Sequence, residues 1–276
     1  MTQLLQHVTF ADPTGVLTSD KFSRDLFAGL GIPWVQGVFG GDFFLPDNEK
    51  EKQKPIHFPT LKNRIEQLSP GPVMLNLEGG DWATVDGSQR FSDEIARRRM
   101  DIVDFCQETA REDVRFGWFA DTPSNDHWEM CTLDARRVKW EANCRAALPL
   151  ARKMDDFYLH AYAESTWTVE EWRWHCRSLI DVVHDLYHRP VTILLFADGY
   201  IDLWNADHLK EDYSYQVIRR YRTSEFREIF GWLMEDSGAD NVMLFGGFLS
   251  NGRYARFDPE AGWWQVFCGA TAGSRQ

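Results

Sequence analysis

The chain has 276 residues and carries 30 basic and 42 acidic side chains, which gives a formal net charge of −12. This excess of acids disfavours nucleic acid or an anionic membrane as the main partner, because both are bound through basic surfaces. Hydrophobic residues make up 43% of the sequence. That fraction is enough for a sizeable core and excludes an intrinsically disordered chain.

Apolar runs typical of strands alternate with stretches typical of helices along the whole chain. The predicted strands cover residues 7–11, 34–39, 73–78, 114–120, 156–163, 191–197 and 241–247. The predicted helices cover residues 18–30, 61–68, 92–111, 168–189, 224–236 and 258–267, with a broken helix or two separate helices within residues 125–154. Residues 200–221 fit neither pattern clearly.

Start and stop signals support two of these helices. Thr168 and Glu171 form a capping box, and Pro190 ends the helix that follows. The pair Asp258-Pro259 predicts the start of the last helix, because an aspartate can cap it and proline suits its first turn.

This alternation predicts an α/β fold with a parallel sheet. We expect one domain over residues 1–276, a single (β/α)8-type, TIM-like barrel with seven or eight strands. An eighth strand would lie in residues 42–57 or 200–215. An open doubly wound sheet is the alternative.

Four of the predicted strands end in or just before an acid. These acids are Glu78, Asp121, Glu164 and Asp198. Parallel sheets gather their active sites at the carboxyl ends of the strands, so the four acids are expected to converge on one rim. Asp121 can equally cap a helix, and Asp198-Gly199 can equally form a turn.

Side chains alternate between the two faces of a strand, so each strand can be divided by parity. The set with the polar side chains, predicted to face the barrel interior, is Met74, Asn76 and Glu78; Arg115, Gly117, Phe119 and Asp121; Tyr158, His160, Tyr162 and Glu164; and Thr192, Phe196 and Asp198. The other parity is apolar and is expected to face the helices. Interior polar groups are costly unless they are hydrogen bonded or hydrated, so these are either internally paired or part of a site.

Twelve tryptophans are many for this length. Six lie in helix-like segments and are expected in the core: Trp140, Trp172, Trp174, Trp232, Trp263 and Trp264. Four lie just beyond strand ends: Trp82, Trp128, Trp167 and Trp204. An exposed indole at such a place can stack on a sugar ring, although packing under a loop is the better explanation for any single one of them.

A carboxylic acid at a strand end suits glycoside hydrolysis, which needs a protonated acid to assist the departing oxygen. Glu78, with Asn76 on the same face, fits that role. An apolar pocket with aromatic walls would raise the pKa of Glu78 towards the operating pH.

A second group must support the positive charge that develops on the sugar or activate a nucleophile. Glu164, Asp198 or an N-acetyl oxygen of the substrate can do this. Tyr162, His160 and Asn76 are predicted to orient the substrate. Asp121 and the tryptophans Trp82, Trp167 and Trp204 are further candidates for binding it. No cofactor is implied.

The order of these segments resembles that of the hyaluronidase-type and chitinase-type barrels. In those families an acid-x-Glu motif ends a strand and its glutamate is the general acid; the similar segment here is Leu75-Asn-Leu-Glu78. Similar segments follow in the same order over roughly residues 70–250: Phe116-Gly-Trp-Phe-Ala-Asp121, Phe157-Tyr-Leu-His-Ala-Tyr162 and Val242-Met-Leu-Phe-Gly-Gly247. The resemblance implies a general acid at Glu78 and an inward tyrosine at Tyr162. Asn76 stands where those families place an acid, which either argues against substrate-assisted catalysis or limits Asn76 to hydrogen bonding.

Three alternatives remain at this level. His160 with Glu164, Asp198 and Glu78 can bind a divalent ion, although no H-x-H or H-E-x-x-H spacing occurs. A non-catalytic carbohydrate-binding barrel would keep the tryptophans without needing an acid. A phosphate-binding loop at the glycine pair 246–247 is the third.

The five cysteines contain no C-x-x-C pair and lie in helix-like stretches: Cys106, Cys131, Cys144, Cys176 and Cys268. The odd count predicts buried free thiols rather than disulfides. The amino terminus has neither the basic nor the apolar region of a signal peptide, and no run is long enough to span a membrane. We therefore expect a cytoplasmic protein, unless another route exports it.

Overall fold

The computed structural model describes residues 2–8, 20–44, 56–77, 93–119, 138, 141–142, 144–160, 168–196, 222–246 and 257–273. Its strands are β1 (Gln3–Val8), β2 (Gln36–Val38), β3 (Gly71–Leu75), β4 (Val114–Phe119), β5 (Asp156–His160), β6 (Val191–Phe196) and β7 (Asn241–Gly246). Its helices are α1 (Asp20–Ala28), α2 (Gly40–Phe43), α3 (Phe58–Glu66), α4 (Asp93–Thr109), α5 (Leu148–Ala151), α6 (Val169–Val182), α7 (Thr223–Glu235) and α8 (Gly262–Gly273). A π-helical turn, Val183–Tyr187, follows α6.

The strands form one seven-stranded sheet in the order β1-β7-β6-β5-β4-β3-β2. The pairs β1–β7, β2–β3, β3–β4 and β4–β5 are parallel. A parallel bridge also joins Gln6 of β1 to Trp34, two residues before β2. A doubly wound sheet reverses its strand order at a switch point, whereas here β2 to β7 follow one another and β1 lies beside β7. The fold is therefore of the α/β barrel type, as predicted.

The chain divides into two compact units. One comprises residues 1–34, 161–176 and 193–276, and the other comprises residues 35–160 and 177–192. Strands β2 to β5 with helices α2 to α5 belong to the second unit. The single domain over residues 1–276 stays a prediction.

The predicted alternation of faces is confirmed in β4 and β5 at Gly117 and Tyr158, whereas Arg115, which was predicted to face the interior, is exposed. A Cβ atom on Gly117 would lie 2.8 Å from the carbonyl oxygen of Asp156 and closer still to the ring of Tyr158. Gly117 and Tyr158 therefore share a face, as the parity predicts. On the opposite face the ring of Phe157 stacks on that of Tyr187 at 5.1 Å between centroids, which places the apolar parity of β5 against a helical element.

The predicted signals around α6 are confirmed. The backbone N–H of Thr168 donates to Glu171 Oε2 at 2.7 Å, and the N–H of Glu171 donates to Thr168 Oγ1 at 3.2 Å. After the π-helical turn, His188 adopts a left-handed conformation with φ 54°. The chain leaves the helix there, before Pro190.

The predicted starts of the first strand and of the last helix were wrong, because polar residues at these places do not follow the apolar pattern on which the prediction was based. The first strand begins at Gln3 rather than His7; Gln6 and His7 are buried, at 0% and 5% exposure, so the strand does not alternate apolar with polar. The last helix begins at Gly262 rather than Asp258. Asp258 Oδ1 instead accepts from the N–H of Glu260 at 3.0 Å, which forms a turn before the helix.

Four residues that were predicted to lie in the core are partly exposed: Trp174, Trp232, Trp264 and Cys268. Trp174 retains 40% of its accessible surface, so this tryptophan of α6 is not in the core, whereas Trp172 and Trp263 are buried as expected. Cys268 is half-buried, while Cys106, Cys144 and Cys176 are buried free thiols as predicted. Cys131 lies outside the described residues.

These thiols are expected to differ in reactivity. Burial raises the pKa of Cys106 to about 12 and raises the pKa of Cys176 well above its ordinary value. Only the thiolate is a nucleophile, so both stay inert at neutral pH. Iodoacetamide labelling of the native protein followed by peptide mapping should modify Cys268 before the buried Cys106, Cys144 and Cys176. Labelling of Cys106 before Cys268 would contradict the packing described for α4.

Candidate active site at the carboxyl ends of the strands

The backbone pairing between β2 and β3 continues for one residue beyond the carboxyl end of β3. The N–H of Asn76 donates to the carbonyl of Val38 at 2.8 Å, so pairing with β2 extends beyond Leu75. Leu75 pairs with Trp118. The next position on each strand brings Asn76 level with Phe119, and the side chain of Asn76 is half-buried there.

A buried arginine lies at the same end of β3. The Nη2 group of Arg99, on α4, donates to the carbonyl oxygen of Leu77 at 3.3 Å. Its guanidinium carbon lies 4.7 Å from the ring centroid of Trp118. Arg99 has no exposed surface, and a cation–π contact in such surroundings is worth about 2 kcal/mol. The end of β3 is thus held by a cation.

The inner face of β5 carries two polar side chains with different surroundings. Asp156 Oδ2 accepts from the hydroxyl of Thr192 at 2.9 Å, and Asp156 Oδ1 accepts from the N–H of Phe157 at 2.7 Å. Asp156 is therefore internally paired. The hydroxyl of Tyr158 is buried and finds no partner among the described residues. Burial, followed by the negative charge of Asp156, raises the pKa of Tyr158 well above its ordinary value, so this phenol remains a donor.

Phenylalanine in place of Tyr158 is expected to leave the stability unchanged within about 1 kcal/mol, or to raise it, because the hydroxyl lost makes no described hydrogen bond. Urea denaturation measures this. A loss above about 3 kcal/mol, the cost of leaving a buried partner unsatisfied, would show that the hydroxyl is bonded within the fold.

Most of the predicted site residues lie outside the described residues. These are Glu78, Trp82, Asp121, Tyr162, Glu164, Trp167, Asp198 and Trp204. Asn76 follows β3 directly, and the backbone of His160 forms the last position of β5. The convergence of the four acids on one rim therefore stays a prediction.

Sequence reasoning missed Arg99, although the sequence contained a signal for it. The predicted apolar positions of α4 include Ile95 and Ile102, and Arg99 stands four residues after the first and three before the second. A charge within an apolar stripe indicates a buried ion with a specific task or partner. Ile102 is fully buried, which confirms that the stripe faces inward.

Two general properties bear on the alternatives. Among the described side chains, no three His, Cys, Asp or Glu residues lie close enough to hold a metal ion. The side chains that the metal alternative requires, those of Glu78, His160, Glu164 and Asp198, are not in that set. In the ranges that the structure describes, no helix combines the length and apolar character needed to cross a membrane.

Comparison with known proteins gives the same fold. No protein-family model and no curated protein sequence matches the chain. The fold is similar to that of bee venom hyaluronidase. One crystal structure of that enzyme matches with a TM-score of 0.51 and 12% identity over 87% of this chain and 91% of the enzyme. Its complex with a hyaluronic acid tetramer matches with a TM-score of 0.52 and 12% identity over 87% and 90%.

The structure of an engineered protein matches with a TM-score of 0.51 and 11% identity. The match covers 91% of this chain and 54% of the engineered protein's chain. At such identities the likeness extends to the fold. It confirms the predicted resemblance to hyaluronidase-type barrels at that level.

Proposed function

We propose that the chain is a glycoside hydrolase with Glu78 as its general acid. The observation that carries this proposal is the register of β3, β4 and β5. Met74 pairs with Gly117, and Gly117 pairs with Asp156, so these positions form one inner row. Two residues further along, Phe119 pairs with Tyr158.

The same register, continued by two more residues on each strand, is expected to bring Glu78, Asp121 and His160 to one level. That level would lie at the carboxyl ends of the strands, where barrels of this type build their active sites. The hyaluronidase-like fold supports this arrangement. Asn76 and Tyr158, one row below, would present an amide and a protonated phenol beneath the site.

In this proposal the carboxyl group of Glu78 donates its proton to the departing glycosidic oxygen. Glu164 or Asp198 is the second carboxylate, as nucleophile, base or stabiliser of the oxocarbenium ion. Tyr162 and His160 orient the sugar, and Trp82, Trp167 and Trp204 offer stacking surfaces. Asn76 cannot donate or take up a proton as an acid would, so it acts through hydrogen bonds.

A neutral oligosaccharide or polysaccharide suits the chain better than an acidic one. The net charge of −12 repels a polyanion, and the residues proposed to contact the sugar include several acids. The bee venom enzyme was crystallised with a hyaluronic acid tetramer. We expect this chain to differ from that enzyme in preferring an uncharged glycan.

A panel of neutral glycans, N-acetylated glycans and hyaluronic acid tests the proposal, with new reducing ends as the readout. Hydrolysis of a neutral glycan in preference to hyaluronic acid is the expected result. Binding of a glycan without any turnover by the parent would instead favour the non-catalytic carbohydrate-binding barrel. Activity that disappears with a chelator and returns with a divalent ion would favour the metal-dependent alternative.

A further inference from the structure

Two aromatic rings cover glycines on the inner face of neighbouring strands. Gly37 of β2 pairs with Met74 of β3, and Met74 pairs with Gly117 of β4, so these three residues form one row. A Cβ atom on Gly37 would overlap the ring of Phe39, and a Cβ atom on Gly117 would overlap the ring of Tyr158. Both rings therefore lie on this face, one on either side of Met74.

Asn76 is the next residue of the chain on that face. Its N–H donates to the carbonyl oxygen of Val38 at 2.8 Å, which continues the pairing with β2 and with it the alternation of faces. Val38 pairs with Leu75, so Phe39 stands level with Asn76 on the β2 side. Phe119 stands level with it on the β4 side. Asn76 therefore stands between two phenylalanines at the carboxyl ends of the strands.

The side-chain amide of Asn76 makes no hydrogen bond to another residue that the structure describes. The side chain is half-buried, so part of it is open to a ligand. An amide carries one acceptor oxygen and two donor hydrogens, and burying these groups is costly when they stay unpaired. A bound molecule with both a donor and an acceptor would pair them.

Phe39 adds an apolar surface beside this amide. It is half-buried, and its backbone N–H donates to Asp42 Oδ2 at 2.9 Å. The same oxygen of Asp42 lies 3.6 Å from Nε of Arg64 on α3, so the backbone at Phe39 is tied to two helices. The face of an aromatic ring suits the C–H groups of a sugar. Aromatic walls with a few polar groups that fix orientation are typical of small-molecule sites.

We propose that Phe39 and Asn76 form a subsite for a neutral sugar residue with two adjacent free hydroxyl groups. The amide of Asn76 accepts from one hydroxyl and donates to its neighbour, while the ring of Phe39 packs against the C–H face of the sugar. This inference rests on the proposed function, because it takes the carboxyl ends of the strands as the place where the glycan binds. It adds the substrate class: an acetamido group in place of one hydroxyl leaves half of the amide unpaired.

Cellohexaose and chitohexaose test this substrate class, because they share one linkage and differ only in the acetamido group. Xylohexaose and mannohexaose extend the test to other neutral chains. Titration calorimetry in the Glu78→Gln background measures affinity with the proposed acid removed. At least one neutral hexasaccharide should bind with a Kd at least about tenfold below that of chitohexaose. Equal or tighter binding of chitohexaose, or no binding of any neutral chain in the millimolar range, would overturn the inference.

Two substitutions test the residues themselves. Asn76→Ala should raise the Kd for the best neutral hexasaccharide by about tenfold, because the hydrogen bonds to the hydroxyls are lost. It should also reduce the preference over chitohexaose. Phe39→Ala should raise the same Kd by about tenfold through the loss of the aromatic contact. Since both effects belong to binding, KM should rise with Kd while kcat stays within about threefold of the parent.

Asn241→Ala and Phe105→Ala are the matched controls. Asn241 begins β7 and so lies at the amino end of a strand. Phe105 of α4 is half-buried like Phe39, but its ring packs on Phe58 of α3 at 4.7 Å between centroids. Both variants should keep Kd within about twofold of the parent, because residues remote from a site couple to it weakly. Equal losses of affinity in the controls and the test variants would overturn the inference.

If Phe39→Ala does not fold, Phe39→Leu decides, because leucine keeps the apolar bulk without a flat face. A Kd at least about threefold above the parent supports the inference, and a parental Kd overturns it.

These measurements also separate the inference from the proposed function. Hydrolysis by the parent, with Kd and KM unchanged in Asn76→Ala and Phe39→Ala, would leave the hydrolase standing and remove the subsite. Glycan binding that depends on both residues, without turnover by the parent, would leave the subsite standing and remove the hydrolase.

Discussion

Glutamine in place of Glu78 is expected to lower kcat for an unactivated glycoside by about 10²- to 10⁴-fold, the range typical of a lost general acid. The amide keeps the shape of the side chain but has no proton to give to the leaving oxygen. KM should change little, because hydrogen bonds to the substrate survive. Initial rates on the best glycan of the panel measure this.

The leaving group sharpens the test. An acidic phenol departs from a chromogenic glycoside as the phenolate and needs no protonation. Glu78→Gln should therefore lose far less activity on such a substrate than on a natural glycan. Equal losses on both substrates would assign Glu78 another role, such as nucleophile. Glu66→Gln on α3 is the isosteric control. Among the residues that the structure describes, its carboxylate pairs only with the exposed Lys62, at 3.7 Å, so both rates should be parental.

Alanine in place of Gly117 is expected to destabilise the protein by about 1–3 kcal/mol, the usual cost of overpacking a core. The new Cβ would lie 2.8 Å from the carbonyl oxygen of Asp156 and nearer still to the ring of Tyr158. The carbonyl is part of the β4–β5 pairing and cannot move away without disturbing it. A lowered midpoint of urea or thermal unfolding is the expected observation.

The matched control is the same substitution where space is open. A Cβ on Gly231 of α7 meets nothing within 4 Å, and alanine favours a helix over glycine by about 1 kcal/mol. Gly231→Ala should therefore be neutral or stabilising. Unchanged stability of Gly117→Ala would mean that Asp156 and Tyr158 of β5 do not approach Gly117 of β4 as closely as described.

The sequence predicted those elements whose two faces differ in polarity. Strands β3 to β7 and helices α4, α6 and α7 were predicted within a few residues because their apolar positions recur with the period of a strand or a helix. The start of β1 was missed because Gln6 and His7 are buried on opposite faces of the strand. No local pattern shows that His7 will stack on Phe245, at 5.6 Å between ring centroids.

The candidate site was less accessible to such reasoning. Parity correctly put Gly117 and Tyr158 on one face, since alternation is a property of the backbone. Arg99 was not predicted, because its value depends on Trp118 and Leu77, which belong to other elements. The position of a charged residue within the apolar face of a helix can indicate that it is buried. Only its tertiary contacts show which groups it binds. The meeting of Glu78 with Glu164 and Asp198 depends on similarly distant segments and remains a prediction.

The pairing of β1 with β7 has a consequence for how the chain acquires its structure. Leu5 pairs with Met243 and His7 with Phe245, across nearly the whole length of the polypeptide. Pairings between such distant residues form slowly, because the chain loses the entropy of closing a long loop before the new contacts stabilise the pairing. During synthesis the first strand emerges long before its partner. A chain arrested before residue 241 would leave the backbone edge of β1 without its partner strand and available to other nascent chains, so we expect such fragments to aggregate rather than fold.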